Sequence, residues 1–141
     1  MHYNGGYLIG QINKLINRRI NELLKEENVN EFNGAQGTII FVLTEEGPMP
    51  IKDIGKATGL AKTSLTSMLD RMEKQGLIKK RENENDRRST IIDLTERSRG
   101  YKEVIEKVSQ EVNREFYKKI KAKDIERFEA TLQKVLDNLK D

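Results

Sequence analysis

Residues 51–94 read IKDIGKATGLAKTSLTSMLDRMEKQGLIKKRENENDRRSTIIDL, a stretch in which helical and strand patterns follow one another. Its start carries Ile51, Ile54 and Ala57 at every third position. This spacing places the three side chains on one face of a short helix. Gly59 comes next, and glycine permits a left-handed turn that a side chain would resist. The pattern therefore predicts a short helix that ends in a tight turn.

A second helix is predicted from Ala61 to Gln75. Its apolar residues recur at intervals of three and four and form one buried stripe of Leu65, Met68, Leu69 and Met72. Gly76 suits the position just after a helix C-terminus. The stripe leaves an exposed polar face, which consists of Lys62, Thr63, Ser64, Thr66, Ser67 and Arg71.

A hairpin is predicted after this helix. One strand begins at Leu77, and the β-branched run Thr90–Leu94 fits an antiparallel partner. The loop between them is rich in turn-forming residues. It ends in Asp86, Arg87 and Arg88. The hairpin therefore carries a basic tip.

The order of helix, glycine turn, helix, glycine cap and basic hairpin predicts a winged helix-turn-helix, and DNA binding is the leading functional hypothesis. A helix fits the major groove, where base edges can be distinguished. The residues expected to face base edges are Thr63, Thr66 and Ser67. The residues expected to contact phosphates are Lys62, Arg71 and Lys80.

The wing has a separate expected role. A guanidinium on a loop can enter the minor groove, where the potential is most negative over A·T runs. We expect Arg88 to lie there, held by Asp86, with Arg87 as a second wing cation. Two other interpretations stay open. The loop could be only a solvated hairpin, as short basic clusters commonly are, or the winged helix could serve protein contact without specific DNA binding.

The sequence also resembles the MarR family of transcriptional regulators. The resemblance is carried by segments in the family's order and spacing: Gly59-Leu60, Leu69–Glu73, Gln75–Ile78, Asp86–Arg88 and Leu94–Glu96. Asn33 and Gln36 resemble the start of the family's second helix. The resemblance implies a homodimer that binds palindromic operator DNA, acts most simply as a repressor and responds to a small-molecule effector.

Two positions depart from the family pattern. The family often has Ser where this chain has Ala61, so the second helix lacks that side-chain cap. The family also commonly has Gly near the position of Ser98 in this chain, before the next long helix. The effector pocket is fixed by no pattern in the sequence, and we assign it no residues.

Long amphipathic helices flank the winged helix. One is predicted near the N-terminus and another across 101–120, followed by a break near Ala122–Asp124. The last helix has apolar residues at alternating intervals of three and four: Ile125, Phe128, Leu132, Val135 and Leu139. Such a seam is typical of helices packed at a shallow angle, and it favours pairing with a second copy over packing within one chain.

The expected fold class is thus mainly α with a small β-hairpin wing (α+β). Residues 1–30 and 96–141 are expected to form a discontinuous dimerisation region. Residues 31–95 are expected to form the winged helix-turn-helix domain. The 141 residues suit one domain-sized unit.

The charge distribution agrees with a DNA partner. The net charge is +3, and the segment from Pro48 to Thr95 holds ten Lys and Arg against seven Asp and Glu. The excess therefore lies on the predicted DNA-binding segment, as phosphate neutralisation requires.

Other classes of function receive little support. The chain has no cysteine, which excludes disulfides and thiolate metal sites, and His2 is its single histidine. No glycine-rich phosphate loop is present, and a catalytic triad would have to use His2. No apolar run reaches the length of a membrane span. We therefore expect no enzyme activity, metal or cofactor, no membrane partner and a cytoplasmic location.

Overall fold

A computed structural model of the chain describes residues 2–140. Within them lie seven α-helices and one small sheet. The elements are α1 (Gly5–Glu26), α2 (Gly34–Glu46), β1 (Met49–Pro50), α3 (Ile51–Thr58), α4 (Lys62–Lys74), β2 (Ile78–Glu82), β3 (Thr90–Leu94), α5 (Glu96–Arg99), α6 (Lys102–Phe116) and α7 (Ala122–Leu139). The mainly helical fold with a small antiparallel wing is as the sequence predicts.

Helices α3 and α4 form the predicted helix-turn-helix. Gly59 has a φ of 71°, the left-handed conformation expected of it. The α4 stripe is buried at Leu65, Leu69 and Met72, which with Ile54 belong to the core. Two apolar positions are less buried than the pattern suggests, since Met68 is half-buried and Ala57 is exposed.

Gly76 ends α4 and turns the chain into the wing. Its φ is 76°. Its N–H donates to the carbonyl of Glu73 at 3.0 Å, and the N–H of Leu77 donates to that of Met72 at 2.9 Å. These two bonds form a Schellman motif, which satisfies carbonyls that the helix end leaves open. Leu77 and Ile78 then enter the core.

The sheet has the strand order β1-β3-β2, and both pairs are antiparallel. The β2–β3 register pairs Lys80 with Ile92 and Lys79 with Asp93. The hairpin is the one predicted. Strand β1 was not predicted from the sequence, because two residues, one of them proline, carry no alternating pattern.

Asn33 and Gln36 lie at the start of α2, as their resemblance to the family's second helix implies. The side chain of Asn33 accepts from the N–H of Gln36, and that of Gln36 accepts from the N–H of Asn33. This reciprocal pair is a capping box. It starts the helix that supplies Ile39 and Ile40, both fully buried.

A short helix around Ser98, α5, precedes the long helix α6. Thr95 caps the short helix α5 by accepting from the N–H of Ser98 at 3.3 Å. Ser98 is fully buried, and its hydroxyl donates to the carbonyl of Leu77. The Thr95 hydroxyl donates to the carbonyl of Gly76 at 2.7 Å. The serine hydroxyl thus fastens α5 to the start of the wing.

The predicted break near residues 122–124 is wrong by several positions. α6 ends at Phe116, Lys119 is left-handed with a φ of 63°, and α7 already begins at Ala122. Asp124 lies in the first turn of α7. Aspartate is a poor helix former in mid-helix, but is favoured in a first turn, where it complements the helix dipole.

The chain divides into two compact units, one ending at Ser109 and the other beginning at Gln110. The second unit has a small aromatic cluster, in which the Phe116 and Phe128 rings lie 6.1 Å apart. The Tyr117 hydroxyl donates to Glu129 at 2.7 Å. None of the helices in residues 2–140 is both long and apolar enough to cross a membrane.

Candidate nucleic-acid interface

The polar face of α4 is exposed along its whole length. The burial of Leu65, Leu69 and Met72 fixes which side of the helix faces the core. The six predicted contact residues all lie on the exposed side: Lys62, Thr63, Ser64, Thr66, Ser67 and Arg71. The structure therefore brings these residues together on one accessible surface of one helix.

One hydroxyl on this face is already oriented. Thr66 Oγ1 donates to the carbonyl of Lys62 at 2.9 Å. Its proton is used within the helix, so the oxygen presents only lone pairs outward, beside the methyl group. In this rotamer Thr66 can accept from a base amino group or contact a thymine methyl, but it cannot donate to a base.

The first turn of α4 has no side-chain cap. Ala61 occupies the N-cap position, and no side-chain hydrogen bond satisfies the first amides. This confirms the departure noted at Ala61. Open N–H groups at a helix start attract anions, because the helix dipole is positive there. Lys62 lies at the same end and adds a full positive charge.

The wing loop is ordered by its own polar residues. Asn83 donates through Nδ2 to the Ser89 hydroxyl at 2.8 Å, which closes the base of the loop. The N–H of Asp86 donates to the carbonyl of Asn83, and the N–H of Ser89 donates to that of Asp86, both at 3.1 Å. These bonds give the tip a defined turn geometry.

The tip presents two arginines to solvent. The Arg88 side chain is 94% exposed, and Arg87 is exposed as well. Asp86 Oδ1 accepts from the N–H of Arg88 at 3.0 Å and lies 3.6 Å from its Nε. Asp86 therefore fixes the backbone of Arg88 firmly and its guanidinium only loosely, which leaves the side chain free to enter a groove.

Lys80 has a different environment from the one the sequence suggests. Its Nζ lies 2.5 Å from Asp70 Oδ1 and 3.6 Å from Glu73 Oε1, both on α4. The hydrogen bond to Asp70 raises the pKa of Lys80, and the same bond lowers the pKa of Asp70. This ammonium links strand β2 to α4, and a phosphate would have to compete with two carboxylates for it.

Sequence reasoning missed these two partners, although a signal was present. Side chains alternate across a strand, so Lys80 shares a side with buried Ile78, while Lys79 and Arg81 lie on the other side. A lysine on the core side of a strand needs an acidic neighbour. The alternation therefore separates Lys80 from its exposed neighbours.

The predicted dimer seam on α7 lies largely exposed in the single chain. Val135 is 39% exposed and Leu139 is 80% exposed, whereas Ile125 and Leu132 are half-buried. Phe128, which belongs to the aromatic cluster, is 38% exposed. Helix α1 also exposes a run of large apolar side chains, which are Tyr7, Leu8, Ile9, Ile12 and Leu15.

The described residues hold no cluster of three or more His, Cys, Asp or Glu side chains that could bind a metal ion. His2 is exposed near the chain start.

Comparison with known proteins places this fold in one family. The sequence profile described as the MarR family matches residues 32–90. The uncharacterized HTH-type transcriptional regulator YwhA of Bacillus subtilis is 30% identical over 103 residues, which are 73% of this chain and 74% of that protein. A second uncharacterized B. subtilis regulator, YcgE, is 37% identical over 49% of this chain. Some matches are short, and span less than half of the relatives' own length.

Solved structures extend the likeness to nearly the whole chain. A cysteine-to-serine mutant of MarR from Escherichia coli, in complex with operator DNA, superposes with a TM-score of 0.80. It is 26% identical, and the match covers 93% of this chain and 92% of that protein. The chain therefore belongs to the MarR family of transcriptional regulators.

Proposed function

We propose that this protein is a sequence-specific DNA-binding regulator that binds a palindromic operator as a homodimer. Two elements are proposed to contact DNA, the wing formed by β2 and β3 and the recognition helix α4. The observation that carries the proposal is the link between them. Lys80 joins strand β2 to α4 through Asp70 and Glu73, so the wing and the recognition helix belong to one supported unit. A helix and a wing held in this way can contact adjacent grooves at the same time.

Each exposed residue has a proposed part. Thr63, Thr66 and Ser67 face base edges, and Ser64 supports the same surface. Lys62 and Arg71 contact phosphates. Arg88 enters the minor groove, with Arg87 beside it on the wing. Lys80 stays a predicted phosphate contact, but its charge is already neutralised by carboxylates, so we expect less counterion release from Lys80 than from Lys62.

We further propose that both ends of the chain make the dimer. The exposed apolar side chains of α1 and α7 belong to residues 1–30 and 96–141, the expected dimerisation region. A second copy would remove this surface from water, at about 25 cal/mol per Å² of apolar area. The dimer would present two α4 helices to half-sites about 34 Å apart, one turn of DNA.

A small-molecule effector is a further part of the proposal. A cavity of about 340 Å³ lies where the end of α2 meets β3 and the start of α6. Its lining combines apolar Leu43 and Leu94 with the cation Lys102 and with Arg99, which is paired with Asp93. This volume suits a small organic molecule. A ligand that separated β3 from α6 would change the placement of the wing, and thereby DNA affinity.

The simplest regulatory outcome is repression, because a dimer on a promoter excludes other proteins from it. The DNA partner implies a location with access to the chromosome, which in a bacterial cell is the cytoplasm.

Selection from random DNA tests the proposal. We expect the purified protein to enrich one palindrome with two half-sites spaced by one helical turn. The affinity should fall steeply with salt. A protein that enriches no sequence, and keeps its weak DNA affinity after Arg87 and Arg88 are both replaced by alanine, would instead be a protein-contact module.

A further inference from the structure

A polar cluster lies where the connection between α1 and α2 meets the end of α4 and the start of α6. We call it the junction cluster. It consists of Glu31, Gln36, Gln75, Arg97 and Tyr101. All five residues belong to the first compact unit, and none lies on the exposed face of α4 proposed to read DNA.

Gln75 ties the end of the recognition helix to the start of α2. It is the C-cap residue of α4. Its Nε2 donates to the carbonyl of Glu31 at 2.9 Å, and its Oε1 accepts from Gln36 Nε2 at 3.3 Å. Gln36 is itself fixed by the capping box with Asn33. The amide of Gln75 is therefore held from both sides.

Glu31 links the end of α4 to the segment that leads into α6. Its carboxylate accepts from the Tyr101 hydroxyl and from Arg97 Nη2, and both bonds, the one from Tyr101 first, lower the pKa of Glu31. Arg97 belongs to α5, and Tyr101 directly precedes α6. The Tyr101 ring also packs edge-on against Phe32 at 5.0 Å. Glu31 thus binds the recognition helix through its carbonyl and the α5–α6 segment through its carboxylate.

These contacts add little to the stability of the core. Glu31 and Arg97 are about half exposed, and exposed ion pairs contribute little free energy of unfolding. The position of α4 along its length is fixed by Leu65, Leu69 and Met72 in the core. What the junction cluster adds is a directional restraint, because hydrogen bonds fix angles that apolar packing leaves free.

We propose that Glu31, Gln75 and Arg97 are positioning residues that set the angle between the recognition helix and α6. The proposal rests on the proposed function, in which α6 leads from the winged helix-turn-helix domain into the dimerisation region. In a dimer this angle determines the distance between the two α4 helices. The junction cluster would therefore determine which half-site spacing the protein accepts.

The first measurement needs no DNA. The chain has no cysteine, so Lys74→Cys and Glu103→Cys provide two unique exposed sites for spin labels, one on α4 and one on α6. Dilution with unlabelled protein restricts the pulsed-EPR signal to pairs within one chain. We expect the distance distribution to broaden in Arg97→Met and to stay narrow in the control Arg99→Met.

Arg99 is a matched control for Arg97. Both arginines lie on α5, are about half exposed and pair with a carboxylate. Arg99 pairs with Asp93 on β3, away from Gln75. The two variants therefore lose the same charge from the same helix, and differ in whether the junction cluster is broken.

The second measurement uses DNA. Affinities are compared for a single half-site, for the selected palindrome, and for palindromes with one base pair inserted or deleted between the half-sites. We expect Arg97→Met to keep the half-site affinity of the unmodified chain. It should lose about tenfold of the preference for the original spacing, while Arg99→Met retains that preference.

Gln75→Leu is a second test variant, used if Arg97→Met folds poorly. Gln75→Leu keeps the side-chain size, and removes both hydrogen bonds of the amide. Unchanged distance distributions in both variants would overturn the proposal, whatever the DNA results. Broadened distributions would support it, and a failure of the unmodified chain to prefer the palindrome over a half-site would then count against the proposed function alone.

Discussion

The wing arginine is the residue that the proposed DNA contact depends on most. Arg88 is 94% exposed, so its replacement by alanine removes no packing. We expect Arg88→Ala to weaken operator binding by about 1–3 kcal/mol while the melting temperature stays unchanged. Titration of the operator at physiological salt measures this. Arg114→Ala, the same loss of charge outside residues 31–95, should bind normally, and wild-type affinity in Arg88→Ala would remove the wing from the interface.

Replacement of two lysines of the winged helix-turn-helix domain is expected to change the salt dependence of operator affinity to different extents. Lys62 is exposed at the start of α4, whereas Lys80 is paired with Asp70 and Glu73. Lys62→Met should reduce the slope of log K against log salt by about one unit, since one phosphate contact is lost. Lys80→Met should lower operator affinity with a smaller change in slope, because it loosens β2 from α4. Equal slope changes in the two variants would contradict the reduced counterion release that we expect from Lys80.

At the scale of elements, the glycine that ends α4 controls the direction of the wing. Gly76 has a φ of 76°, and an added Cβ would meet Arg97 Nη1 only at 3.5 Å, an ordinary contact. The cost of Gly76→Ala is therefore backbone strain, about 1–2 kcal/mol of unfolding free energy. Gly55, inside α3, has space for a Cβ and a helical conformation, so Gly55→Ala should instead stabilise by about 0.5–1 kcal/mol. Urea denaturation measures both, and a stabilised Gly76→Ala variant would contradict the role of the turn.

The elements also show what the sequence can and cannot predict. Periodicity and glycine position predict α3, α4 and the hairpin, because each is long enough to show its own period. Strand β1 has two residues and α5 has four, so neither completes a pattern. Their positions are instead set by pairing with β3 and by the hydroxyl of Ser98, which are contacts distant in sequence.

The same limit applies to the site. The exposed face of α4 follows from its buried stripe, and both arginines of the wing follow from the turn sequence. The pairing of Lys80 with Asp70, and of Gln75 with Glu31, joins residues of different elements. Alternation along β2 indicates that Lys80 needs an acidic partner, but no spacing rule within one helix or one strand identifies the residue of another element that supplies it.

At the scale of the whole molecule, the charged contacts predict a broad pH range of stability. The pKa values of Glu31 and Asp70 are lowered by their partners, so these groups stabilise the fold above the pKa values they have when unfolded, and lose the effect as the pH falls through the lowered values. The pKa values of Lys80 and Tyr101 are raised, so their contribution is lost only as the pH rises through the raised values.

We therefore expect the free energy of unfolding to be nearly constant between about pH 5 and about pH 9. Below this range it should fall, as Glu31 and Asp70 take up protons. Urea denaturation across the range is the measurement. A step near neutral pH would contradict the account, because Glu31, Asp70, Lys80 and Tyr101 all keep their protonation state there.

Recognition by a dimer of fixed spacing is the central claim, and one residue of α7 tests it directly. Val135 is 39% exposed in the single chain, so Val135→Glu should leave the fold intact and place an unpaired charge in the dimer interface. Ala130→Glu adds the same charge on the opposite side of α7, and serves as the control. Sedimentation gives the mass of each variant, and titration compares a palindromic operator with a single half-site.

We predict that Val135→Glu is a folded monomer. It should bind the palindrome little more tightly than the half-site, because the two winged helix-turn-helix domains are no longer joined. The control should stay dimeric and keep the full preference for the palindrome. A folded Val135→Glu monomer that prefers the palindrome by the original margin would contradict recognition by a dimer.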